Sequence, residues 1–201
     1  MKEALGTIGA LATLPGFVIY LRGVFRGNTR PHAFSWLIWS SLNAIAFGVQ
    51  ITEHGGAGSL VSAAVCLGTF TVFVSALFRG EKVIVLSDWI CLGGAALSAL
   101  TWVITNRPLL SVVLITVIDA FGSFPTFRKA FHKPREESIV LYALDSAAFV
   151  AALIALERRS FETTLFPAFV TIVDATLVVM ILLRRQLLGV ASPHPEARVS
   201  P

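Results

Sequence analysis

The sequence predicts an all-α polytopic membrane protein of seven transmembrane helices, built as two parallel three-helix repeats joined by a linker helix (3+1+3). Three observations carry that prediction. Of the 201 residues, 55% are hydrophobic and 14% charged, whereas about a quarter of the residues of a soluble domain carry charge. The apolar residues come in blocks of about 20, the length that crosses a hydrocarbon core of about 30 Å. Finally, a pattern early in the chain returns in its second half: "YLRGVFRGNTRPHAFSW" and "TFRKAFHKPREESIVLY" share an Arg (Arg22, Arg128), a Phe three residues on (Phe25, Phe131), a Pro-containing polar loop (Pro31, Pro134) and a Ser opening the next span (Ser35, Ser138).

The spans are predicted in order. Span 1, residues 4–24, holds Pro15 and ends at arginines; its charged start and unbroken apolar run read as a first span and not as a cleaved signal. Span 2, 33–52, opens after Pro31 and carries Trp36, Trp39 and Asn43; span 3, 57–78, carries Thr69 and Thr71. Span 4, 83–105, offers the small-residue run Gly93, Gly94, Ala95, Ala96, suited to close packing against the second triple or a neighbouring subunit. Span 5, 108–128, contains Asp119 and Pro125 and ends in "FRKAF"; span 6, 138–156, contains Asp145; span 7, 161–183, contains Asp174. The organisation that follows is a first repeat over 1–82, a linker helix over 83–107, a second repeat over 108–188 and a polar, proline-containing tail over 189–201 expected to be disordered.

The sixteen Lys and Arg residues set the orientation. Twelve of them, from Arg22, Arg26 and Arg30 to Arg184, Arg185 and Arg198, fall after spans 1, 3 and 5 and in the tail, against Lys2, Arg107, Arg158 and Arg159 on the other side. Positive loops stay in the cytoplasm, so the N-terminus is expected outside and the C-terminus inside a cell (inner) membrane. The net charge of +4 is then a matter of loop placement and implies no nucleic-acid partner. Cys66 and Cys91 fall inside apolar segments and read as small buried residues, not as a disulfide or metal ligands.

Each first helix of a repeat contains a proline, Pro15 in "ATLPGF" and Pro125 in "GSFPTF". Proline removes a backbone donor and frees a carbonyl one turn back, so both are candidate hinges. A three-plus-one-plus-three layout with such prolines resembles the SWEET, SemiSWEET and PQ-loop superfamily of small-solute transporters. The residue after proline is Gly16 or Thr126 where that signature has glutamine. The layout is also similar to that of the nicotinamide-riboside facilitators, with "SWLIWSSLN" as the Trp-containing segment. The resemblance implies a solute site between the halves and triples that rock about the prolines.

The aspartates point the same way. All four, Asp88, Asp119, Asp145 and Asp174, lie in predicted spans, while every glutamate lies in a loop, a tail or a span edge. A carboxylate at the centre of a membrane helix costs roughly 2.5–3.5 kcal/mol even on a lenient scale, and such residues mark solute or proton paths. At about 1.5 Å of rise per residue, Asp119 and Asp174 fall near mid-depth and Asp145 slightly towards the cytoplasm. In the first repeat the counterpart of Asp145 lies close to Asn43, and Thr69 stands near that of Asp174. Asn43, Thr69 and Thr71 with the three aspartates are therefore the expected polar lining of a central site. Carboxyls close together in a low dielectric cannot all ionise, so H⁺ is a candidate coupling ion, with Na⁺ the alternative. Interhelical hydrogen bonding to Ser and Thr is the structural alternative for each. Asp88, beside Ser87 near the start of span 4, reads as a cap or an anchor for Lys82. Trp36 and Trp39 share one helix face, either in the interfacial aromatic belt or as a stacking wall for a ring-bearing solute.

The function class expected is thus a carrier of a small polar solute (sugar, amino acid or related metabolite), working by alternating access, with no cofactor and no metal. The alternatives are a passive facilitator of a vitamin precursor or nucleoside, and a seven-helix receptor or sensor. An enzyme is not expected, since the four histidines are scattered at 32, 54, 132 and 194 and no ligand spacing or phosphate-binding Gly loop occurs. A retinal protein is not expected either, because span 7 lacks a lysine. Partners are the solute, the bilayer and, through the small-residue face, a further copy of the chain.

Overall fold

A computed structural model describes residues 1–80 and 86–189, apart from the side chains of Ser87, Asp88, Cys91, Pro125, Lys129 and Glu136. The expectations for Asp88 and Lys82, for Cys91, for the side chain of Pro125 and for the tail from 190 onward lie outside the described residues. The described residues form seven α-helices: α1 Lys2–Phe25, α2 Ala33–Thr52, α3 Ser59–Arg79, α4 Leu86–Thr105, α5 Pro108–His132, α6 Ile139–Ala155 and α7 Phe161–Leu187. Single 3₁₀ turns at Gly56–Gly58 and Pro134–Glu136 precede α3 and α6. No strand occurs among the described residues.

Five helices (α1, α2, α3, α5 and α7) are long and apolar enough to cross a membrane, and the described part of α4 and all of α6 are apolar but shorter. The outward faces fit such a setting. Ile8, Leu67, Phe121, Phe124 and Ile172 are all more than 60% exposed, a density of bare large apolar groups that marks an interaction surface. α5 and α7 run past their predicted ends, to His132 and Leu187. The basic residues that follow the apolar run continue the helix because Arg, Lys and Gln are good helix formers and suit its C-terminal dipole.

Local sequence explains the starts. The side chain of His32 accepts from the backbone N–H of Ser35 and caps α2, and Ser138 does the same for Leu141 at the start of α6. Ser160 and Thr163 form a reciprocal capping box at the start of α7. Pro15 lies inside α1, which continues through it, with its ring on the exposed side.

The packing follows side-chain size. α3 lies against both α1 and α2, and α7 against both α5 and α6. These groups meet through α1 against α6 and through α2 against α5, while α4 packs on α5 and α2. The α1–α6 contact is close because it is built from small residues. A Cβ added at Gly9 would meet the Cβ of Ala151 at 3.0 Å and Val61 at 3.1 Å, and one at Gly16 would meet Leu141 at 3.3 Å. Only small residues let two backbones approach this far. On α4, Gly94 faces Ile118 of α5, whereas a Cβ on Gly93 would meet nothing within 4 Å. The predicted small-residue face is thus divided between α5 and the outside. Ser98 and Ser111 complete the α4–α5 contact, each hydroxyl donating to the other residue's carbonyl at 2.9 and 2.8 Å.

The two ends of the bundle differ. At the end that holds the N-terminus, the Lys2 ammonium donates to the Leu156 carbonyl at 2.7 Å and the Glu157 N–H to Gly55 at 3.0 Å. Just inside, Gln50 is wholly buried between α2, α3 and α7. Its Nε2 donates to the Thr163 carbonyl at 3.4 Å, and its Oε1 accepts from the Ser62 hydroxyl at 2.9 Å. The opposite end is arginine-rich. There Arg79 of α3 donates to the carbonyl of Phe25 at 2.8 Å with its guanidinium over the Phe25 ring. Arg184 of α7 does the same to Phe131.

Candidate functional site

Between the helices lies a cavity displaced towards the arginine-rich end, and helical periodicity decides which residues reach it. Side chains three, four or seven apart share a helix face. On α5 the lining is Asp119, Ser123 and Thr126; on α6 it is Leu141, Tyr142 and Asp145; on α7 it is Val170, Val173, Asp174 and Leu177. α2 contributes Trp36, Trp39 and Asn43 by the same spacing, α3 contributes Val65 and Thr69, and α1 contributes Phe17.

The cavity thus collects the three predicted aspartates with Asn43, Thr69, Trp36 and Trp39. Thr71 is not among them. It stands two residues beyond Thr69, on the exposed outer face of α3, and its hydroxyl turns back to the Leu67 carbonyl at 2.7 Å. Two residues along a helix rotate a side chain by roughly 200°, so Thr69 and Thr71 cannot both face inward. Pro15 is likewise outside the lining. Trp36 and Trp39, whose sequence position allows either an aromatic belt or a stacking wall, form a corner of the lining. Their rings meet edge to face at 5.2 Å, and Tyr20 lies 4.9 Å from Trp36.

The carboxyls are placed asymmetrically. Asp119 and Asp174 are each only 7% exposed. Asp119 of α5 lines the cavity together with Ser123 one turn on and Trp39 of α2, and Asp145 of α6 and Asp174 of α7 line the same space. Among the described residues the lining contains no Lys or Arg. Among the described residues no three His, Cys, Asp or Glu side chains converge in a way that would hold a metal ion.

The remaining donors of the lining are largely committed. The Thr69 hydroxyl donates to the carbonyls of Val65 and Cys66 at 2.7 and 3.0 Å, and the Asn43 amide to the Trp39 carbonyl at 3.0 Å. Tyr142 donates at 2.8 Å to Glu137, a buried carboxylate below the cavity. Two buried acceptors have no partner, Asn43 Oδ1 and Asp145 Oδ1.

Several of these residues were not singled out by sequence. Ser123 is four residues after Asp119 and Tyr142 three before Asp145, so the helical period starting from each aspartate would have found both. Phe17, Glu137 and Gln50 had no such pointer. The expected pairing of Asp145 with Asn43 also shifts. α2 begins at Ala33, capped by His32. Counted from the first residues of α2 and α6, Trp36 matches Tyr142 and Trp39 matches Asp145, with Asn43 one turn further on. Thr69 and Asp174 keep their correspondence, standing equally far before Arg79 and Arg184. Comparison with family models, with curated proteins and with solved structures finds no match for this chain.

Proposed function

We propose that this chain is a membrane carrier for a small polar solute, working by alternating access, with Asp119, Asp145 and Asp174 as the solute- or proton-binding groups. The observation that carries the reading is the carboxylate-lined cavity between the α1–α3 group and the α5–α7 group. In a bilayer three carboxyls lining one cavity, two of them buried and none with a Lys or Arg beside it among the described lining residues, are costly, and a solute path is a setting in which such residues recur.

The same reading takes the chain as two parallel three-helix repeats with α4 as the linker. Several correspondences support it. The residue separation from Arg79 back to Phe25 is 54, and from Arg184 back to Phe131 it is 53, with the same carbonyl and ring contacts. Each α3- or α7-type helix lies between its two partners. The lining residues correspond in pairs, Trp36 with Tyr142, Trp39 with Asp145 and Thr69 with Asp174. Repeats of this kind place the solute between the halves. The SWEET and PQ-loop resemblance remains part of the proposal, with the N-terminus outside and the arginine-rich end in the cytoplasm.

On this reading the cavity faces the cytoplasm, and the Gln50, Ser62 and Thr163 contacts close the outer end. Proton coupling is part of the same proposal, because Asp119, Asp145 and Asp174 line one cavity and carboxyl groups in membrane helices recur in proton paths. The titratable groups around the cavity are the three aspartates and Tyr142, with Glu137 behind Tyr142.

The test is flux in proteoliposomes. With an imposed pH gradient and pooled sugars, amino acids, nucleosides and amines, wild-type protein should give a solute-dependent proton flux. Asp174→Asn and Asp119→Asn should lose it while unfolding at a temperature close to wild type. Flux that is unaltered in both variants would remove the carboxylates from the mechanism, and absence of uptake of every solute would remove the carrier reading.

A further inference from the structure

The balance of charges and hydrogen bonds around the cavity selects among solutes. Three carboxyls line it, without a basic side chain among the described residues. Asn43, which also lines it, adds an independent sign: it is only 6% exposed, its amide nitrogen is committed to the Trp39 carbonyl, and its Oδ1 has no partner. Asp145 Oδ1 is also buried and unpartnered. Unsatisfied buried acceptors are costly, by roughly 1–3 kcal/mol each, and a ligand that brings donors would satisfy them. Of the lining's own donors, Tyr142 points to Glu137 and Thr69 to its own helix. A neutral polyol brings as many acceptors as donors and would leave acceptors facing acceptors. A protonated amine or a guanidinium brings donors only, plus the missing positive charge. Aromatic rings complete the match, because Phe17, Trp36, Trp39 and Tyr142 border the same space and ring faces attract cations.

Size narrows the class further. The cavity offers about 70 Å³ to the centres of water-sized molecules, where a single water needs about 10–15 Å³ on that measure. It therefore suits a solute of a few heavy atoms.

We infer that the cavity is a binding site for a small donor-bearing organic cation, a primary ammonium or a guanidinium group, held by Asp119, Asp145, Asp174 and Asn43 Oδ1. The site itself follows from the lining; its use for transport rests on the carrier reading above.

The experiment separates the two. Purified full-length protein in detergent is titrated, by intrinsic tryptophan fluorescence and calorimetry at constant ionic strength, with guanidinium, urea, methylammonium and tetramethylammonium. Urea has the planar shape of guanidinium without its charge, and tetramethylammonium has charge without donors. Guanidinium and methylammonium should bind at least tenfold more tightly than urea or tetramethylammonium. Asn43→Leu and Asp119→Asn should each weaken guanidinium about tenfold or more, the loss expected for one hydrogen bond to a charged group, while thermal unfolding stays close to wild type. Urea binding as well as guanidinium, tetramethylammonium binding as well as guanidinium, or guanidinium binding unchanged in both variants would each overturn the inference. Radiolabelled uptake into proteoliposomes, against protein-free vesicles, then tests the carrier. Guanidinium that binds but does not enter keeps the cation site and removes transport. Uptake of urea with no binding of any cation keeps the carrier and removes the cation site.

Discussion

The guanidinium of Arg184 sits 4.0 Å from the centre of the Phe131 ring, and its Nε donates at 2.9 Å to the carbonyl of that same residue. One side chain therefore satisfies a carbonyl at the C-terminal end of α5, stacks on the ring there, and holds α7 to α5. A helix end leaves its last carbonyls without intrahelical partners, and this contact removes one such deficit across helices.

Arg184→Ala should lower stability by about 1–2 kcal/mol, the combined scale of a charge-assisted hydrogen bond and an exposed cation–ring contact. Arg184→Lys should recover only part of the loss, because an ammonium cannot bond the carbonyl and lie flat on the ring together. Thermal unfolding of the detergent-solubilised variants checks this, and an unchanged midpoint for Arg184→Ala would show that the contact adds nothing.

Gln50→Leu removes a buried side chain that satisfies Ser62 and Thr163 from two other helices. The Ser62 hydroxyl and the Thr163 carbonyl lose these partners at a site with no exposure. A loss of about 1–3 kcal/mol is expected, read as a lower unfolding midpoint. Ser62→Ala should cost less, since Gln50 keeps its bond to Thr163. If Ser62→Ala proved the more damaging of the two, the glutamine would not be the hub of this cluster.

Two glycines give a paired test of helix approach. Gly9→Val should prevent α1 from seating on α6, because Ala151 and Val61 already stand at 3.0–3.1 Å from the first added carbon. Poor folding yield and early unfolding are expected. Gly93→Ala meets open space and should be neutral or stabilising by up to about 1 kcal/mol from helix propensity alone. Equal behaviour of the two variants would mean that the α1–α6 contact is looser than described.

Most of the helical framework was legible in the sequence, because each apolar run is long and is bounded by Pro, Gly or charge. The inward aspartates were legible for the same reason: a carboxylate in an apolar run has few reasons to be there. What failed was the choice of face. In a soluble helix the polar side marks the outside, but here both faces of a span are apolar, so nothing in "CLGTFTVF" distinguishes inward Thr69 from outward Thr71. Gln50 stands near the end of its apolar run, a position that carries no sign of burial. Its burial depends on Ser62 and Thr163, which lie 12 and 113 residues away in sequence. α2 begins at Ala33 and ends at Thr52, the predicted bounds, with the His32 imidazole as its cap.

The pairing of lining residues has a consequence for ancestry and for engineering. Where one half presents Trp39 and Thr69, the other presents Asp145 and Asp174, and opposite Asp119 the equivalent place before Phe25 holds Thr13. A dimer of two first halves would enclose a neutral chamber. A dimer of two second halves would gather twice the carboxyls around one space and drive them apart. On the two-repeat arrangement proposed above, the halves would therefore not be interchangeable modules.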